Sequence, residues 1–236
     1  MEKKRVIAII PARMASSRFP GKPMALIHGI PMVGHCYFRT TMATSRSETY
    51  VATCDQVIAD YVESIGGKFV MTSDTHSRAT ERTAEAMKII EDNTGYAIDI
   101  VVMVQGDEPL IPPYSIAETL KHFNEPEVEI VNIMSRFRNQ GQFEDKNNVK
   151  VVVNSFNDAL YYSREPIPSL WKGIKQVPMN NQTGVVAFRR ESLMRFNSSP
   201  ESILEKIESV DMNRVLEQGR KIRMVLADVS TIGVDT

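Results

Sequence analysis

Cysteine and tryptophan are scarce in this sequence, and neither sign of charge prevails. Cys36 and Cys54 are the only two cysteines. They share no C-x-x-C spacing and have no neighbours that suggest a metal site, so reduced thiols in a cytoplasmic chain are expected. With 28 Lys+Arg against 29 Asp+Glu the formal charge is −1, and the cationic excess by which nucleic-acid proteins release counterions is missing. Trp171 is the lone tryptophan and makes no stacking platform for bases. No apolar run approaches the roughly 18 residues of a membrane span, and the run after the N-terminal charges is too short for a signal-peptide core. Neither membrane insertion nor targeting is expected. The P-loop pattern G-x-x-x-x-G-K-S/T, the dinucleotide loop G-x-G-x-x-G and the hydrolase elbow G-x-S-x-G are all absent.

What is present is the grammar of an α/β protein. Short aliphatic runs at 6–10, 49–53, 68–71 and 98–104 read as strands, and each stops at proline, glycine or a polar cluster. Helical stretches are expected at 32–43, 57–65, 80–93 and 114–123. Strand alternating with helix implies a mostly parallel sheet covered on both faces. The second half reads as strands at 128–136, 149–154, 159–163, 184–189 and 223–227 with hairpin-like spacing. A helix over 202–217 carries Ile203, Ile207, Val210 and Val215. The expected architecture is therefore a mixed sheet, mostly parallel and flanked by helices, with an antiparallel insertion and no clean boundary along the 236 residues. The 13 methionines are read as core filling.

In a parallel sheet the ligand crevice lies beyond the strand C-termini, which directs attention to four loops. Residues 11–23 hold Arg13, Arg18 and Lys22 without an acid, two of their prolines keep the segment extended, and Gly21 permits close approach of backbone. A triphosphate needs such fixed cations and unhindered N–H groups; a solvated basic loop is the plainer alternative. Gln105-Gly-Asp-Glu-Pro109 follows the most apolar strand, where Asp107 suits Mg²⁺, an ion that takes one or two carboxylates and fills its shell with phosphate and water. The alternative there is an acid capping the next helix. Glu108, before a proline, is read as a turn residue or a support. Residues 73–82 open a helix whose N–H groups can meet a base or an anion, the alternative being a capped helix start with a Glu81–Arg82 surface pair.

Taken together, IIPARxxSxRxPGKP, the H-x-x-x-T-E-R segment, VQGDEP and a closing GVDT resemble the CMP-sugar synthetases, most of all those that activate 3-deoxy-manno-octulosonate (Kdo). Asn148-Val-Lys150-Val-Val, the stretch 159–168 and the stretch 184–188 add to the likeness, which covers essentially the whole chain. The resemblance implies a nucleotide-diphospho-sugar transferase (Rossmann-like) fold and a homodimer. It also implies Mg²⁺-dependent transfer of CMP from CTP to the anomeric hydroxyl of a 2-keto-3-deoxy sugar acid. It divides the domain into a nucleotide half, about 1–125, and a sugar-binding and dimerisation half, about 126–225. Carried over, Arg13 and Lys22 hold the triphosphate, with Ala12, Ser16, Ser17 and Arg18 in the same loop. Ser77, Arg78, Thr80, Arg82 and Gln105 complete the nucleotide site. Gln105, Arg164, Asn181, Gln182 and Asp211 face the sugar, and Asp107 and Asp235 hold the metal.

The departures fall in the sugar half. The family's S-G-T-D/E-R is here Arg78-Ala-Thr80-Glu81-Arg82, so Arg78 replaces a small polar residue. The Arg-His before the family's L-G-I/L-Y strand becomes Asn181-Gln182-Thr183, and its late Glu-Gln pair becomes Asp211-Met212. The nucleotide chemistry is thus expected to be kept while the acceptor differs from plain Kdo, an amino-substituted Kdo being one fit. Arg78 is expected to add a contact to the sugar carboxylate or the CTP phosphates. Two other readings stay open: a synthetase for a nonulosonic (sialic-acid-like) sugar or another sugar nucleotidyltransferase, and a non-catalytic nucleotide-binding protein. The presence of both metal acids and both phosphate cations argues against the last.

Overall fold

The most apolar run of the chain is buried along its whole length and forms the middle strand of a nine-stranded sheet. The structure, a computed structural model, describes residues 4–15, 19–173 and 177–227. In chain order the strands are β1 (Val6–Pro11), the short pair β2 (Leu26–Ile27) and β3 (Ile30–Pro31), β4 (Thr49–Thr53), β5 (Lys68–Met71), β6 (Ile100–Val104), β7 (Ile130–Arg136), β8 (Lys150–Val153), β9 (Ala159–Ser163), β10 (Asn180–Arg189) and β11 (Arg223–Leu226). The helices are α1 (Met32–Ala43), α2 (Gln56–Ser64), α3 (Ala79–Thr94), α4 (Pro113–Lys121), α5 (Gln140–Glu144), α6 (Arg190–Ser198), α7 (Ile203–Glu208) and α8 (Asn213–Glu217).

The sheet order is β11-β7-β10-β6-β1-β4-β5. β6, β1, β4 and β5 pair in parallel, whereas β10 enters antiparallel between β6 and β7. β8 and β9 form an antiparallel ribbon that meets β10 where Lys150 pairs with Asn181. Alternating side chains explain the unbroken aliphatic runs. Ile7 and Ile9 of β1 join a core with Ala84, Met87 and Ile90 of α3 and with Leu193 and Phe196 of α6. Ala8 and Ile10 join the opposite core with Val33 and Tyr37 of α1, Ile58 and Val62 of α2, and Ile116 of α4. A strand covered on both faces has no polar side to show.

The four parallel strands end at one edge of the sheet, and the loops after β1, β4, β5 and β6 gather there. Because β10 runs the other way and pairs Val185 with Val104, its first residues arrive at that same edge. The second half of the chain thereby delivers 180–184 to the crevice opened by the first.

Three expectations need correction. The fourth strand begins at Ile100, not 98, and the strand expected from 184 begins at Asn180. Helix α6, absent from the sequence reading, follows β10 directly and packs Leu193 and Phe196 into the core. Residues 202–217 form two short helices in place of one. Ser209, at φ 52 and ψ 47, ends α7 in the left-handed region. Val210 and Met212 are both buried, while Ile203 and Ile207 are 72% and 71% exposed. Among the described residues no helix is long and apolar enough to cross a membrane.

Candidate active site

Two adjoining cavities open at the strand-end edge. The smaller, about 300 Å³, is lined by Ala12, Arg13, Lys22, Arg82 and Gly106 among others. The larger, about 420 Å³, is lined by Thr80, Asn148, Arg164, Gln182 and Asp211 among others. Ser77, Arg78, Ala79, Gln105 and Asp107 belong to both and form the shared wall.

The loop after β1 is held at both ends. Ala12 N–H donates to Ala52 O and Met14 N–H to the Asp55 carboxylate, 2.9 and 2.8 Å. Gly21, at φ 75, donates back to Met14 O at 3.0 Å; only a residue without Cβ takes that turn without strain. Lys22 then reaches across the cavity, and its Nζ lies 2.9 Å from Asp107 Oδ2. The end of β6 approaches the end of β1 so closely that a Cβ on Gly106 would meet Pro11 O at 3.2 Å.

Arg13 is exposed toward solvent yet anchored, donating from Nη1 to His76 O at 2.9 Å and from Nη2 to Ser77 O at 3.4 Å. The strap that supplies those carbonyls is fixed in turn. His76 Nε2 lies 2.6 Å from Glu85 Oε2, and Glu81 Oε2 accepts from the N–H groups of Ser77 and Arg78 at 3.0 and 3.1 Å. Glu81 thus caps α3, but its neighbour Arg82 forms no surface pair. Arg82 is 2% exposed, donates from Nη1 to Thr72 Oγ1, and has a buried Nη2 with no hydrogen-bond partner among the described residues. An unsatisfied guanidinium nitrogen in a cavity wall is costly alone and suits an anionic ligand.

The larger cavity is organised by buried groups. Gly184 N–H donates to Glu108 Oε1 at 2.7 Å while Gln105 N–H donates to Gly184 O at 2.9 Å. A Cβ on Gly184 would lie 2.8 Å from Gln105 Cβ, so the glycine makes room for the Gln105 side chain. Gln182 of β10 donates to Oδ1 of the buried Asn132 on β7 at 3.0 Å. Lys150 is fully buried and spends its three protons on the carbonyls of Asp145, Asn148 and Arg164, at 2.7, 3.0 and 2.6 Å. Burial holds its pKa below the ordinary lysine value. Arg164 donates to the carbonyls of Glu208 and Lys146, both at 2.9 Å, and at longer range to those of Asn147 and Ser209.

Arg78 stands at the shared wall with its guanidinium surrounded by acids. It donates to Glu201 and Asp211, and its Nη1 lies 3.2 Å from Glu205 Oε1. Glu205 is fully buried and paired a second time, with Arg214, at 2.7 and 2.6 Å. Burial pushes the Asp211 carboxyl above its ordinary value, against the pull of Arg78.

The structure therefore brings Ala12, Arg13, Lys22, Ser77, Arg78, Arg82, Gln105 and Asp107 around one cavity and adds Thr80, Arg164, Asn181, Gln182 and Asp211 around its neighbour. Ser16, Ser17, Arg18 and Asp235 lie outside the described residues. Sequence reading passed over Glu108 as a wall residue, and also Asn147, Lys150, Glu205 and Arg214. Asn148 and Lys150 sit in a stretch that carried the family resemblance, which was the available signal. Among the described residues no group of three or more His, Cys, Asp or Glu is placed to hold a metal ion.

A cationic loop and a strand-end carboxylate that share a wall with a second polar cavity define an α/β enzyme that handles nucleotides. Residues 7–222 match the family described as Cytidylyltransferase, and the chain belongs to that family. It is 40% identical over 243 residues to the 3-deoxy-manno-octulosonate cytidylyltransferase of Geobacter metallireducens, covering 98% of this chain and 93% of the relative. It is 38% identical over 234 residues to the 8-amino-3,8-dideoxy-manno-octulosonate cytidylyltransferase of Shewanella amazonensis, covering 98% and 94%. Among solved structures, CMP:2-keto-3-deoxy-manno-octonic acid synthetase complexed with CTP superposes with a TM-score of 0.86 at 34% identity, over 99% of this chain and 94% of that one. A glucose-1-phosphate thymidylyltransferase from Bacillus anthracis shares the fold, with a TM-score of 0.64 at 15% identity over 96% of this chain and 88% of that one.

Proposed function

We propose that this chain transfers CMP from CTP to the anomeric hydroxyl of a 3-deoxy-2-ulosonic acid, Kdo or an amino-substituted Kdo, and releases pyrophosphate. The observation that carries this reading is the shared wall. Asp107 and Gln105 face both cavities, so a nucleotide in the smaller and a sugar acid in the larger would meet at Asp107. The relatives named for Kdo and 8-amino-Kdo support the choice of acceptor.

The chemistry is an in-line displacement at the α-phosphorus, which rests on positioning and charge stabilisation. Arg13, Lys22 and Arg82 bind the phosphates and take up charge on the departing pyrophosphate. The larger cavity orients the acceptor through Gln105, Asn181, Gln182 and Asp211. Asp107 is 27% exposed on its side chain and opens to the phosphate side. A single strand-end carboxylate beside bound phosphates fits Mg²⁺, which needs no dedicated protein cage. Asp107 would hold the ion, with Asp235 as a second ligand. When bound, Mg²⁺ neutralises phosphate charge and makes the attacking hydroxyl more acidic. Likeness to the family further supports a homodimer, a cytoplasmic setting and a role in building lipopolysaccharide.

The test is pyrophosphate release with Mg²⁺, offering CTP, UTP and GTP against Kdo, its 8-amino analogue and a sialic acid. Release with CTP and one of the two octulosonic acids is expected and is lost on chelation. Release with sialic acid alone, or with another nucleotide, overturns the assignment.

A further inference from the structure

The strap 76–78 touches the phosphate loop on one side and the far wall of the larger cavity on the other. Its carbonyls hold Arg13. Its last residue, Arg78, sends a guanidinium across to the 201–211 segment and engages three carboxylates there. Nε lies 3.1 Å from Glu201 Oε1, Nη1 lies 3.2 Å from Glu205 Oε1, and Nη1 also donates to Asp211 Oδ1. So dense a set of acids leaves the guanidinium little capacity for a substrate anion. A phosphate or sugar carboxylate would have to displace carboxylates already seated.

Asp211, by contrast, lines the larger cavity, and among the described residues its other oxygen receives a long contact, 3.4 Å from Thr80 Oγ1. It lies in the turn between α7 and α8, where the flanking Val210 and Met212 are buried in the core, and Ser209 before it is held left-handed.

We propose that Arg78 is a positioning residue that sets acceptor specificity by holding the Asp211 carboxylate, charged and oriented, at the acceptor end of the larger cavity. Asp211 then accepts hydrogen bonds from acceptor hydroxyls or from a cationic substituent, and repels the acceptor's own carboxylate toward the opposite end. The assignment rests on the function proposed above for these cavities.

The charged groups around Asp211 are Arg78 ahead of α3, Glu205 of α7 and Arg214 of α8. Glu205 raises the Asp211 pKa and the two arginines lower it, with burial raising it most. Removing the Arg78 guanidinium therefore leaves desolvation and Glu205 to push the carboxyl further up.

The test compares Arg78→Ala, Arg78→Lys and Asp211→Asn with the parent chain. For Arg78→Ala the acceptor KM is expected to rise about tenfold or more while the CTP KM stays within about twofold, as binding across one lost orienting contact predicts. The acid limb of kcat/KM for the acceptor moves to higher pH, and Arg78→Lys falls between the two. A rise in the CTP KM of equal size, or an unmoved acid limb, overturns the proposal. Carboxyl ¹³C NMR of Asp211 in the substrate-free protein supplies a readout independent of turnover. Its titration midpoint should rise in Arg78→Ala, and an unchanged midpoint also overturns the proposal. Silence of the parent chain with every ulosonic acid counts against the proposed function, whereas the NMR result stands apart from it.

Discussion

Lys22 and Asp107, 85 residues apart in the chain, meet across the smaller cavity with Nζ 2.9 Å from Oδ2. The phosphate loop after β1 and the acid after β6 are thereby held in one arrangement. Such preorganisation is what electrostatic catalysis depends on. Replacing Asp107 by Asn keeps the shape and removes the charge. Turnover is expected to fall by about a thousandfold or more, as for loss of a transition-state electrostatic contact, while the CTP dissociation constant changes only a few-fold. Pyrophosphate release and calorimetry on the same preparation check both halves, and near-normal turnover would refute the metal-ligand role.

Gly184 tests the shared wall by bulk alone. Its backbone is not in the left-handed region, so a substitution is limited by space rather than by backbone strain, and a Cβ there would lie 2.8 Å from both Cβ and Oε1 of Gln105. Gly184→Ala is expected to push the Gln105 side chain aside and to cost about 1–3 kcal/mol of stability by overpacking. A displacement of that order at a reacting centre lowers kcat by roughly tenfold to a hundredfold. Thermal melts and kinetics together separate the two effects; wild-type kinetics with a lowered Tm would mean that Gln105 is not used.

The buried pair of Glu205 and Arg214 tests stability. Glu205 is fully buried and Arg214 is 5% exposed. Arg214 Nη1 also donates to the carbonyls of Phe196 and Ser199, at 3.0 and 2.9 Å, tying α8 to the end of α6. Removing one member leaves the other buried and uncompensated, so Glu205→Gln is expected to destabilise by about 3 kcal/mol or more. Replacing both residues by apolar ones of similar size should cost less than the sum of the single changes. Urea unfolding of the two singles and the double variant measures this, and strict additivity would contradict it.

Glu91 sets a pH dependence of stability. It accepts from Arg190 Nε and Nη2, at 2.8 and 2.9 Å, and from Ile98 N–H at 2.9 Å. The Arg190 hydrogen bond leads in holding its carboxyl below the ordinary value of 4.5. A depressed folded pKa contributes stability that is complete above the unfolded value and is lost as pH falls through the folded one. Glu91→Gln should therefore lower Tm at neutral pH, and the gap to the parent chain should close as pH drops below 4.5. A gap that stays constant down to acid denaturation would show that the charge contributes nothing.

Much of the nucleotide half is legible in the chain itself. β1 and β4 read correctly because apolar runs with no polar face demand burial on both sides, and polar residues that follow such strands have one place to go in a parallel sheet. Lys22 and Asp107 could be named from their loops alone. Their contact could not, because it depends on β1 and β6 being neighbours. The helix 202–217 misled for a related reason. Ile203 and Ile207 carry the apolar spacing of a buried helix face, yet both lie exposed, and the helix breaks at the left-handed Ser209 before the buried Val210 and Met212. Arg82, read as a nucleotide-site residue with a surface pair to Glu81 as the alternative, is buried on the same side of α3 as Ala86, four residues on, where residues four apart share a face.

By itself, then, the sequence determined the alternation of strand and helix, the strand-end loops and the residue types that a nucleotide site requires, since each follows from local pattern and composition. The tertiary structure decided which of those residues share a wall. The antiparallel entry of β10 brings Gln182 and Gly184 beside Gln105, and the turn after α7 sets Asp211 against Arg78. Such contacts join residues distant in the chain, and local periodicity carries no record of strand order or of which buried charge finds which partner.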